Sequence, residues 1–63
     1  MQGDILKKLR GKKSQQEVAT AIDVSLSAYK KYESNERTPR DEVKVRIAKY
    51  YETPVQDIFF AQA

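Results

Sequence analysis

The chain has 63 residues with neither cysteine nor histidine, which rules out disulfides and thiolate metal sites and removes the commonest metal ligand and acid–base group. Folding at this length removes only about 60% of the unfolded surface from water, which fits one compact domain over 1–63 that gains from a partner subunit. The net charge is +3 and uneven: residues 1–40 carry nine basic and five acidic side chains, the remainder three and four, the footprint of a nucleic-acid face beside a near-neutral assembly face.

In chain order, Asp4 precedes Ile5, Leu6 and Leu9, an apolar set at helical spacing with Lys7, Lys8, Lys12 and Lys13 largely outside it, and this predicts a first helix. Ser14 followed by Glu17 is a capping box, so a second helix begins at Gln15 and buries Val18, Ala19 and Ile22. Asp23 stands where the chain must turn sharply, a place for a residue that tolerates the left-handed conformation, and Val24 can tuck into the turn. Ser25 is the expected cap of a third helix running to about Ser34. A step of about 100° per residue puts Tyr29, Tyr32 and Glu33 on its packed side and Ser27, Lys30, Lys31 and Ser34 on its free side.

Two short helices joined by a tight turn over about residues 15–34 form a helix-turn-helix, whose second helix suits the major groove of double-stranded DNA. Lysine can reach guanine acceptors or a phosphate, and Leu26 can meet a thymine methyl. A lysine pair by itself is more often ordinary solvated surface; its place behind a capped turn favours DNA.

After a loop, Pro39 can start a fourth helix to about Tyr51 with Val43, Ile47 and Tyr51 on one side. The alternation Val43, Val45, Ile47 also fits a strand, but Asp41 and Glu42 favour a helix start. Thr53-Pro54-Val55-Gln56 reads as a second capping box with proline at the first helical position, opening a fifth helix that carries Val55, Ile58 and Phe59. The expected fold is therefore all-α, a compact five-helix domain with room for a short extended carboxy-terminal tail. Phe59-Phe60-Ala61 is more apolar than the end of a small monomer needs, and Phe60 either folds back over the core or meets another chain.

Leu9-Arg10, Ser14-Gln15, Ala19, Val24-Ser25, Tyr32-Glu33, Arg37, Pro39, Ile47-Ala48, Val55 and Ile58-Phe59, taken together, resemble the lambda-repressor-like, or Xre (Cro-type), family of helix-turn-helix regulators over nearly the whole chain. Within it the chain looks most like small single-domain regulators of bacteria, phages and mobile elements. The resemblance implies that Gln15 contacts a phosphate or the operator edge, that Leu26, Ser27 and Lys31 read bases, and that Ser25 and Lys30 lie by phosphates. It implies too that Asn35-Glu36-Arg37-Thr38 grips the sugar-phosphate backbone, with Asn35, Arg37 and Thr38 as contacts. Arg10 and Glu33 match an ion pair between the first helix and the recognition helix, and Ile58, Phe59 and Phe60 match a region that pairs two subunits. Where the family usually has glycine in the turn this chain has Asp23. Leu26 and Ala28 offer no hydrogen bonds to bases, so readout leans on methyl contacts and DNA shape.

The function these features imply is a sequence-specific transcriptional regulator, a repressor bound as a homodimer to a two-fold symmetric operator. The alternative is a protein-interaction module of the same fold, antirepressor or antitoxin-like, against which the basic face argues. No enzyme is expected, since Asp41 and Glu42 are explained by the helix dipole and no nucleophile has a base beside it. No cofactor, metal or small-molecule ligand is implied. No apolar run spans a membrane and Met1-Gln2-Gly3-Asp4 lacks the regions of a signal peptide, so a cytoplasmic, nucleoid-associated protein is expected.

Overall fold

The computed structural model describes residues 2–60, and every regular element among them is a helix: α1 (Gln2–Arg10), α2 (Gln15–Ala21), α3 (Leu26–Glu33), α4 (Asp41–Tyr51) and α5 (Val55–Phe59). The predicted tail beyond Phe60, Ala61 included, lies outside the described residues. Helix α1 packs on α3 and α5, α2 packs on α3, and α4 packs on α5. The five helices share one core that draws Leu6 from α1, Val18 and Ala19 from α2, Tyr29 and Tyr32 from α3, Val43 and Ile47 from α4, and Ile58 and Phe59 from α5.

The helix starts follow local chemistry. Ser14 Oγ accepts the Glu17 amide at 3.0 Å and Ser25 Oγ accepts the Ala28 amide at 3.1 Å, each satisfying a donor that a helix start leaves without a partner. Helix α4 is capped at Arg40 without a side-chain bond and has Asp41 and Glu42 in its first turn, where the helix dipole favours negative charge. Its first amide bonds run from Val43 and Lys44 to the Arg40 carbonyl, so the helix opens after Pro39 rather than at it. In this segment Val43 and Ile47 are buried while Val45 is exposed, the period of a helix and not of a strand.

The helix ends share one device. Gly11, Asp23, Asn35 and Glu52, which follow α1 to α4, all have φ between 51° and 65°. After α2, α3 and α4 the same double closure forms. The left-handed residue donates to the carbonyl three back, and its successor to the carbonyl five back, as in Asp23 to Thr20 with Val24 to Ala19.

That closure corrects the reading of the fifth helix. The Thr53 amide is spent on the Ala48 carbonyl and its hydroxyl donates to the Tyr51 carbonyl at 3.0 Å, so Thr53 finishes α4 and caps nothing ahead of it. Pro54 is the residue before the first helical position and makes no side-chain cap bond.

Candidate nucleic-acid interface

The turn between α2 and α3 is held by the left-handed Asp23, with Val24 half-buried against the core. Helix α3 then has two unlike sides. Tyr29, Tyr32 and Glu33 are buried at 0, 5 and 2% exposure. Ser25, Ser27 and Lys30 are exposed, and Leu26 and Lys31 are half-buried. The amino-terminal turns of α3 thus offer small and basic groups to solvent while tyrosines anchor the opposite side.

Glu33 is the polar centre of this anchor. Arg10 of α1 donates through Nε to Oε2 at 2.7 Å and through Nη2 to Oε1 at 3.2 Å, the forked geometry of a strong guanidinium–carboxylate pair. Gln15, the first residue of α2, donates Nε2 to Oε1 at 3.0 Å. Arg10 Nη1 also donates to the Lys13 carbonyl at 2.7 Å, which ties down the link between α1 and α2. Burial alone would push the Glu33 carboxyl up; hydrogen bonds from Arg10, Tyr29 and Gln15 and the charge of Arg10 outweigh it and hold the carboxyl below its ordinary value. Burial, and the bond to the Tyr51 hydroxyl at 3.0 Å, push the Tyr29 hydroxyl up. One amide hydrogen of Gln15 is thereby committed to Glu33, and the rest of that amide is available to a ligand.

The loop after α3 brings Asn35, Arg37 and Thr38 to the surface beside the end of that helix. Asn35 is left-handed, and its Oδ1 accepts the Gly3 amide at 3.0 Å. Gln2 Nε2 donates to the Tyr32 and Arg37 carbonyls, each at 3.2 Å. Between α3 and α4 lies an open groove of about 590 Å³ with Ala28, Tyr32 and Val43 among its apolar walls and Arg37, Arg40 and Arg46 at its edge. Arg46 Nε donates to the Ile22 carbonyl at 2.9 Å and so fastens α4 to the end of α2.

Gln2, Arg40 and Arg46 have no place in the sequence reading of the site. Nothing local marks them, because their partners or neighbours lie far along the chain. Two residues assigned to subunit pairing move the other way. Ile58 and Phe59 are 1 and 8% exposed in the core of this chain, since α5 closes the end of the bundle against α1 and α4, and neither offers a surface to a second copy. Phe60 alone of the three is exposed, at 64%, with Lys44 Nζ 4.9 Å from its ring centre.

Among the described residues no cluster of acidic side chains is placed to hold a metal ion, and no helix is long and apolar enough to cross a membrane. Comparison with curated proteins and with solved structures finds no match. Comparison with family models finds the helix-turn-helix family, matched over residues 6–58, which spans all of α2 to α4 and the turn, loop and packed helix face described above. That family is non-enzymatic and binds DNA to regulate transcription. The chain belongs to the lambda-repressor-like helix-turn-helix family of DNA-binding transcriptional regulators.

Proposed function

We propose that the chain, as one domain over residues 1–63, is a repressor that binds a two-fold symmetric operator as a homodimer and acts by occluding it. The observation that carries this reading is the division of α3: Ser27 and Lys30 stand exposed with Lys31 partly so, on a helix whose other side is fixed by Tyr29, Tyr32 and the Arg10–Glu33–Gln15 cluster. Leu26, Ser27 and Lys31 read base edges, with Ser25 and Lys30 beside phosphates. Gln15 meets the backbone at the amino terminus of α2, while Asn35, Arg37 and Thr38 grip the adjoining sugar-phosphate.

The longest dimension of the chain is 30 Å, so two copies side by side set their recognition helices roughly 34 Å apart, the spacing of half-sites one helical turn from each other. Pairing runs through Phe60, a large apolar side chain exposed where a lone small domain has no use for it. Sedimentation with and without Phe60→Glu tests the dimer. The variant should stay folded and sediment as a monomer; a dimer that survives it removes Phe60 from the interface.

A further inference from the structure

We propose that the first turn of α1 is a clamp that sets the DNA-gripping loop in its binding conformation, with Gln2 as the positioning residue. The inference rests on the reading of Asn35, Arg37 and Thr38 as backbone contacts, and it adds a residue that itself touches no DNA.

Gln2 is a polar side chain at 6% exposure. A buried amide is costly unless its donors are satisfied, and an aliphatic residue of similar volume would fill the same space without that cost. Both hydrogens of Nε2 are used, one on the Tyr32 carbonyl in the last turn of α3 and one on the Arg37 carbonyl within the loop. The two acceptors bracket residues 33–36, so one amide group measures the span across which the chain leaves the recognition helix.

A second tie falls inside the bracket. The left-handed Asn35 accepts the Gly3 amide through Oδ1, which fixes the residue that ends α3 to the residue that follows Gln2. Gly3 makes the approach possible: a Cβ there would overlap the Glu33 carbonyl oxygen and press on the Asn35 side chain at 2.9 Å. The start of α1 therefore lies directly on the loop backbone. A loop held this way in the free chain has less freedom to lose when it meets DNA, and preorganisation of that kind raises affinity without adding a contact.

The test compares the wild-type chain with Gln2→Met, which keeps the shape and removes both donors, and with Gln2→Glu, which turns oxygen toward the two carbonyls. Binding to a short labelled duplex of mixed sequence is followed by fluorescence anisotropy across a salt series, with the thermal melt of each protein recorded alongside. Gln2→Met should remain folded at the assay temperature, bind about tenfold more weakly, and show a salt dependence shallower by about one phosphate contact; Gln2→Glu should lose at least as much.

Failure of the wild-type chain to bind any duplex overturns the functional reading and the clamp with it. Wild-type binding with unchanged affinity and salt slope in folded Gln2→Met overturns the clamp alone, and so does a loss of affinity with the slope intact, which marks general destabilisation. If Gln2→Met does not fold, amide exchange in the free wild-type chain decides. Glu36 and Arg37, whose amides bond to the Lys31 carbonyl, should be protected like α3, and open-loop exchange there contradicts the proposal.

Discussion

Arg10 and Glu33 meet at 2.7 Å across 23 residues of sequence, and the pair is asymmetric: the arginine side chain is 23% exposed and the glutamate 2%. The cost of separating them falls on the buried carboxylate. Arg10→Met should destabilise the chain by about 2–3 kcal/mol, below the usual cost of breaking a fully buried pair because Arg10 keeps some contact with water. Replacing both residues with methionine should recover most of that loss, since no charge is then left buried alone. Urea unfolding of the two single variants and the double variant, read as a cycle, measures the coupling.

The same cluster gives stability two pH limits. Glu33 is held below its ordinary value of 4.5 in the folded chain, so its contribution is present above that value and is lost as the pH falls below it. Tyr29 is held above its ordinary value of 10.0 by burial, so its contribution is present below that value and is lost as the pH rises past it. Urea midpoints should form a plateau between these limits and fall on both sides. Glu33→Gln should flatten the acid limb and Tyr29→Phe the alkaline one.

Glu52 ends α4 in the left-handed region at φ 51° and is exposed. A side chain there costs about 1 kcal/mol relative to glycine. Glu52→Gly should therefore raise Tm by about 4–8 °C for a chain of this size, with DNA affinity unchanged. Gly11 has the same conformation at φ 58° with open space around it, and Gly11→Ala should lower Tm by a similar amount through backbone strain alone.

Lys30 and Lys31 are neighbours with different expected roles. Lys31→Ala should weaken operator binding by about 1–3 kcal/mol and relax the preference at one base pair. Lys30→Ala should weaken binding to all sequences alike and reduce the salt slope by about one. Titration of each variant against the operator and its single-base variants separates the two patterns.

How much of this was legible in the sequence depends on the range of the interaction. The serine caps at Ser14 and Ser25, the left-handed Asp23 and the four-residue spacing of Val43 and Ile47 are set by near neighbours, and the elements that they predict are present. Thr53-Pro54 has the letters of a cap, but the preceding helix takes the threonine first. Ile58 and Phe59 would show the same apolar pattern facing inward or outward, and only the packing of α5 shows that they face inward. Gln2 and Arg46 act on carbonyls 24 or more residues away, and a carbonyl carries no signature in the sequence.

The central claim is that α3 reads a DNA sequence as one half of a symmetric pair. Selection of bound duplexes from a randomised pool near physiological salt tests it most directly, because charge-driven binding alone enriches no sequence there. The account predicts a two-fold symmetric motif with half-sites about one helical turn apart. Recovery of no motif, with binding lost as salt rises, would contradict it and leave only a basic surface on a helix-turn-helix fold.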